Sequence, residues 1–386
     1  MKFGLKRMVA GASAVSFACL LGVAVNGQVQ PSPEAPPMAE QVFKNIQVMK
    51  GMPVNDFMLS MGVFSAALGM SCEDCHDADD RSWDGFAADN PRKQMARRMV
   101  VMMAAINKQQ FGGRQLVTCY SCHRGLDRPR TAPDLVQMYG GEPQENPNYI
   151  IAQAPNQPTP AEVLDKYILA LGGAQRLAAL TSYTATGKSV GFGPESAEDR
   201  PVEIFAKAPN QVTTIIRTGN GTSTTTIDGV NAWLSAPLRP VAVLPLTGKD
   251  LDGFKVDGML AFPGQIKTAL SNMRTGFPAT VGDKDAQVLQ GTTTPNGTVV
   301  TLYFDMESGL LVRQMRYVDS AVGPLVYQVD YEEYEDVAGV KIPEKFTHTW
   351  LNGREQFELS QIRPNVAIPA TRFAKPAPSV APPVKP

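Results

Sequence analysis

The chain has 386 residues, more than one ordinary domain needs, which predicts two domains. Hydrophobic residues make up 43%, enough for a buried core, and the formal net charge of -1 leaves no basic footprint for nucleic acid. Only five cysteines and three histidines occur, so their placement carries unusual weight.

At the N-terminus, Lys2, Lys6 and Arg7 precede an apolar run over residues 8–25, and Val25, Asn26 and Gly27 offer a cleavage site. This reads as a secretory signal peptide over residues 1–27 and predicts a periplasmic or otherwise extracytoplasmic protein. A retained membrane anchor competes, since the run is about long enough to span a bilayer; its Ala, Gly and Ser content favours cleavage. Residues 28–38 form a Pro-rich leader.

Residues 39–130 read as helical. A first helix is predicted over residues 39–50, with Val42, Phe43 and Ile46 on one face and Gly51 and Pro53 as stops. A second, over 55–68, carries the stripe Phe57, Met61, Phe64 and Leu68 and ends at Gly69. A third, over 91–107, has Asn90 as N-cap, Pro91 at the first helical position and a stripe of Met95, Met99, Met102, Met103 and Ile106. Residues 131–158, with Pro133, Pro143, Pro147, Pro155 and Pro158, form a linker.

Residues 159–363 read differently. Thr159, Pro160 and Glu162 are a capping box with Pro at N1, opening a helix that buries Val163, Tyr167 and Leu171 and stops at Gly172-Gly173. The period then becomes two. Short strands are predicted at 202–207, 211–217, 223–228, 297–304, 310–318, 325–331 and 355–360, with turns at Asp228-Gly229, Asn296-Gly297 and Asn352-Gly353, and a helix at 262–273. Residues 364–386 form a Pro/Ala-rich tail, predicted to be disordered. The fold class expected is multidomain, α then β: a mainly helical domain followed by a curved antiparallel β-sheet domain with a few helices.

Four of the five cysteines fall in Cys72-Glu-Asp-Cys75-His76 and Cys119-Tyr-Ser-Cys122-His123. Two thiols can add across the two vinyl groups of a haem while the following imidazole binds iron, so each motif predicts one covalently bound haem c. Disulfides would not explain the two histidines. A zinc site of this type usually has a spacer of roughly 15–20 residues, far shorter than the stretch from Cys75 to Cys119. A thioredoxin-like pair wants a βαβ setting. The sixth iron ligand stays open on spacing alone: Met58, Met61 or Met70 for the first haem, and Met95, Met99, Met102 or Met103 for the second. His348 falls in a predicted strand and reads as an ordinary strand histidine.

Two blocks carry a resemblance. Phe57-x-x-x-Met61 before Cys72-x-x-Cys75-His76, and Ala96-Arg97-Arg98-Met99 with Ile106-Asn107 before Val117 to Gly125, resemble the cytochrome c subunit of photosynthetic reaction centres. The resemblance implies a helix bearing the ligand Met, then a turn, then the haem motif. It places iron ligands at His76 with Met61 and at His123 with Met99. Well-known members carry four haems, whereas this chain has motifs for two, and its residues 108–118 contain no His. The part after residue 159 weakly resembles the periplasmic lipoprotein-carrier (outer-membrane lipoprotein sorting) type, through Gly172-Gly173 and the run from Tyr303-Phe304-Asp305 through Tyr331, Tyr334, Val340 and Pro343.

The expectation is a dihaem electron carrier, not an enzyme. Its partners would be redox proteins, among them a membrane-bound electron-transfer complex or reaction centre, with an apolar ligand for the sheet domain. Arg97, Arg98 and Arg124 are candidates to pair with haem propionates. The competing readings are a haem enzyme such as a peroxidase with one open haem site, and an apolar-ligand or lipoprotein carrier.

Overall fold

The computed structural model describes residues 35–77, 82–133, 149–191, 198–237 and 239–379. The expected signal peptide, most of the leader and the middle of the linker lie outside these residues. Among the described residues, no helix is long and apolar enough to cross a membrane.

The N-terminal part is helical: α1 (Ala39–Val42), α2 (Val54–Leu68), α3 (Pro91–Phe111) and α4 (Cys119–His123). Helix α1 is one turn, shorter than the span predicted over 39–50. The chain leaves it at Phe43 in an extended conformation, and Asn45 and Met49 then take positive φ, which no continuous helix allows. What the extended path achieves is aromatic packing. The Phe43 ring lies 5.3 Å from Phe57 and 5.6 Å from Trp83. Helix α2 ends on Gly69 in the left-handed conformation. Helix α3 starts as expected, with the Asn90 side chain accepting from Lys93 N and Pro91 in the first turn, but runs one turn further to a left-handed Gly112.

A 14-stranded antiparallel sheet follows the helices α5 (Pro160–Ala170) and α6 (Ala174–Ala179). Its strands are β1 (Ser182–Gly191), β2 (Arg200–Lys207), β3 (Gln211–Thr218), β4 (Gly221–Ile227), β5 (Ala232–Ser235), β6 (Leu244–Pro245), β7 (Ser271–Thr275), β8 (Ala279–Val281), β9 (Lys284–Thr292), β10 (Val299–Asp305), β11 (Leu311–Val318), β12 (Leu325–Val337), β13 (Val340–Trp350) and β14 (Gly353–Pro364). The order is β6-β5-β4-β3-β2-β1-β14-β13-β12-β11-β10-β9-β7, with β8 beside β9. Two meanders therefore meet where the first strand pairs with the last, Thr184 opposite Arg363.

The expected capping box forms: Thr159 N donates to Glu162 Oε2 at 2.7 Å, and Glu162 N donates to Thr159 Oγ1. Gly172 has φ 119°, and a Cβ there would strike the Gly339 carbonyl, so the helix end can dock on the β12–β13 turn only as glycine. The expected helix over 262–273 lies earlier. Helix α7 spans Gly248–Leu260, a 3-10 stretch covers Pro263–Thr268, and β7 has begun by Ser271. Phe262, Ile266, Leu270 and Met273 do stand at helical spacing, but Gln265 breaks the helical conformation and sheet pairing takes the last part.

One core lies between α5, α6, α7 and the sheet, where Leu164, Leu171, Val256 and Ile266 meet Val202, Leu289, Val300, Leu302 and Leu311. Polar groups are buried beside it. Arg316, 1% exposed, pairs with Asp257 at 2.7 Å and stacks over Tyr327 at 3.8 Å, and the Tyr327 hydroxyl is 2.6 Å from His348 Nδ1. His348 does lie in a strand, enclosed by Phe346 and Phe357.

The helical part rests on the sheet through two smaller clusters. Val63, Val100 and Met103 pack with Val318, Val322 and Leu325. Val54 packs with Ile227, Ala232, Leu244 and Leu246. The Pro/Ala-rich tail, expected to be disordered, is held on β3–β5 as far as Ser379. Phe373 is buried, Arg372 O accepts from Thr213 Oγ1, and Ser379 N donates to Ser235 Oγ. Composition missed this because one buried aromatic and a few backbone bonds suffice to anchor a short Pro-rich segment.

Candidate functional site

Each Cys-x-x-Cys-His motif folds as a capped turn. In the first, a 3-10 turn spans Cys72–Asp74, and the His76 amide donates to the Cys72 carbonyl at 2.9 Å. Ser71 N donates to Asp74 Oδ2 at 2.8 Å, closing the turn from its start. Asn90 Nδ2 donates to the Cys75 carbonyl at 2.7 Å, and Arg92 donates to the Asp74 carbonyl at 2.6 Å, so the head of α3 clamps the motif. The second motif is α4 itself, capped by Thr118 and Ser121, with Arg124 left-handed at its end. Asn107, buried on α3, donates to Val117 O at 2.7 Å and accepts from Leu116 N and Val117 N. One side chain thus fixes the approach to Cys119.

The two histidines are oriented in the same way. His76 Nδ1 is 3.0 Å from the Phe86 carbonyl, and His123 Nδ1 is 3.0 Å from the Leu126 carbonyl. A carbonyl can only accept, so Nδ1 carries the proton and Nε2 keeps its lone pair for a metal. Burial, with the Lys93 ammonium nearby, holds the His76 imidazole below its usual pKa, which keeps it in the neutral ligating form. Burial likewise pushes the Cys75 and Cys119 thiols up, so both stay protonated at neutral pH.

His76 faces a cleft that also takes in Cys72, Cys75, Met58, Met61, Met70 and Met49. Its wall is a chain of rings, Phe57–Phe43–Trp83–Phe86–His76, with successive centroids 4.9 to 5.6 Å apart. Met61 sits in this cleft, but Met58 and Met70 line it too. At the second motif the methionines of α3 separate. Met103 is 5% exposed and belongs to the core shared with the sheet, Met95 and Met102 are 48% and 46% exposed, and Met99 is half-buried between them. Leu116, Tyr120 and Leu126 are exposed around the same motif. Large apolar side chains left in water on both sides of His123 are what a covering macrocycle would bury.

The four cysteines of the motifs form no disulfide, and among the described residues no three His, Cys, Asp or Glu side chains converge on a bare metal ion. Of the expected propionate partners, Arg97 lines the first cleft but is paired with Asp89 at 2.6 Å. Arg98 lies against the Met95 sulfur, and Arg124 is exposed. Sequence reasoning missed Trp83, Phe86 and Lys93. The two rings were the available signal, being large aromatics in the loop between the motif and its clamping helix.

Residues 18–167 match the family model described as photosynthetic reaction centre cytochrome C subunit. The photosynthetic reaction center cytochrome c subunit of Rubrivivax gelatinosus is 34% identical over 101 residues, 24% of this chain and 25% of that protein. That of Thermochromatium tepidum is 30% identical over 119 residues, 29% of this chain and 28% of that protein. The chain thus spans about a quarter of the length of these curated relatives. Among solved structures, a LolA superfamily protein from Nitrosomonas europaea aligns over 57% of this chain and 99% of its own, at 15% identity and a TM-score of 0.40. An outer membrane lipoprotein-sorting protein domain from Vibrio parahaemolyticus aligns over 55% and 97%, at 13% identity and a TM-score of 0.38. The chain resembles the reaction centre cytochrome family in its N-terminal part.

Proposed function

We propose that the helical part is a two-haem c-type cytochrome module that transfers electrons outside the cytoplasm. Cys72 and Cys75 would hold one haem and Cys119 and Cys122 the other, with His76 and His123 as the iron-binding imidazoles. The observation that carries this reading is the matched orientation of the two histidines, each with Nδ1 on a backbone carbonyl, which leaves the Nε2 lone pair as the one suited to iron. A bound haem supplies a one-electron iron couple, tuned by its axial ligands and surroundings.

The chain's own contribution is positional. The Asn90 and Asn107 side chains hold the backbone at and before the motifs, and the aromatic wall gives the first cleft an apolar lining. Met61 and Met99 are the proposed sixth ligands, each half-buried on the helix preceding its motif. With both iron faces filled, the module would carry electrons without binding a small substrate, which sets it apart from a peroxidase. Its partners would be one-electron redox proteins, and the sheet would be the support on which the module is mounted.

Pyridine-haemochrome analysis of the full chain, secreted by a host that assembles c-type haem, tests this. Two haems per chain are expected. One or none overturns the reading, and ready binding of carbon monoxide to one reduced haem would favour an open-site enzyme.

A further inference from the structure

Resting on that reading, we propose that Lys93 acts on one haem site alone, raising the reduction potential of the His76 site and not that of the His123 site. The Phe86 carbonyl is shared. It takes the His76 Nδ1–H at 3.0 Å and the Lys93 ammonium at 2.7 Å, while Lys93 also donates to the Ala88 carbonyl at 2.6 Å. These named bonds of Lys93 go to neutral oxygens, whereas the neighbouring cation Arg97 is paired with Asp89. Lys93 lines the cleft with His76, and its position is fixed at the helix start, where its backbone N–H donates to Asn90 Oδ1, the side chain that also grips the Cys75 carbonyl.

Two effects of this ammonium have the same sign. A carbonyl already engaged by a cation pulls less on the Nδ1–H, so the imidazole keeps less negative charge to donate to iron. The positive charge beside a partly water-excluded cleft also disfavours the ferric state more than the ferrous one. Both favour reduction. The second site has the same His–carbonyl bond, from His123 to Leu126, and among the described residues no ammonium on that carbonyl.

The test is a redox titration of the full-length holoprotein with Lys93→Gln and Lys93→Arg variants. A chain with Cys119→Ala and Cys122→Ala, retaining only the first haem, assigns the waves. Lys93→Gln should lower the reduced-to-oxidised ratio of the His76 haem about tenfold at a fixed ambient potential, a shift of about 59 mV for one electron. The other wave should stay in place, and Lys93→Arg should restore most of the shift. An unmoved first wave, equal movement of both waves, or an Arg variant indistinguishable from the Gln variant overturns the proposal. Two haems with an unmoved first wave sink this inference alone. Fewer than two haems in the unaltered chain sink the electron-transfer reading and this inference with it.

Discussion

The helical part and the sheet are built on opposite terms. The sheet closes its own core: Leu289, Val300 and Leu302 are at most 1% exposed, and even an arginine is buried with a charged partner. Among the described residues, the helical part has no comparable interior. Its large buried apolar side chains, Val54, Val63, Val100 and Met103, pack against the sheet, and the face around its two motifs keeps large apolar groups in water. A segment that cannot bury its own apolar surface needs something else to do so. Here the sheet covers one side, and the proposed haems would cover the other.

The largest expected effect breaks this comparison or upholds it. Replacing Cys72 and Cys75 by Ala should halve the haem content and expose residues 39–130 to limited proteolysis, while 159–363 stays resistant. Loss of both regions together, read by mass spectrometry of the fragments, would mean the sheet is less independent than its core implies. Next comes Leu302→Ala, which removes a fully buried side chain and should cost about 2–5 kcal/mol in denaturant unfolding with the haem spectrum of the folded protein unchanged. A smaller and more local change is expected for Met61→Ala. It should remove the sulfur–iron charge-transfer band of one haem and lower that haem's potential alone. If Met58→Ala or Met70→Ala does so instead, the ligand lies elsewhere in the same cleft.

The smallest effect concerns pH and belongs to the sheet. Burial holds the His348 imidazole down to about 4, from 6.5. Between those values the unfolded chain binds a proton that the folded sheet does not, so stability falls as pH drops through the window. Asp250 acts in the opposite sense. Burial raises its carboxyl to about 6 from 3.8, so its contribution to stability falls as pH rises through that range. The His348→Gln variant should therefore show a weaker loss of stability on acidification from 6.5 to 4 than the parent, measured by thermal unfolding at fixed ionic strength.

Legibility in the sequence followed how local each feature is. The caps at Asn90 and Thr159 and the helix stops at Gly69 and Gly172 were readable because each is decided by a few adjacent residues. So were the Asp228-Gly229 and Asn352-Gly353 turns; Trp350 pairs with Gly353 as a tight hairpin requires. Strands β1 and β5 to β9 fall outside the predicted ranges, and β13 is anticipated only at His348. β9 is buried over most of its length, so it lacks the alternation that announces a strand. At the candidate site, the cysteines and histidines were legible as a spacing. The carbonyls that orient the histidines were not, because a backbone oxygen leaves no mark in the sequence. Lys93 was invisible for the same reason, since its partners are main-chain atoms.

The end of α2 touches the turn after the second motif with nothing between them. Gly125 N donates to the Ala67 carbonyl at 2.9 Å, and a Cβ on Gly69 would collide with the Gly125 carbonyl. Bare backbone against bare backbone is as near as two chain segments can come. Two residues without side chains thus set the spacing of the segments that carry the two motifs, and a single methyl group at Gly69, itself at positive φ, would have to push them apart.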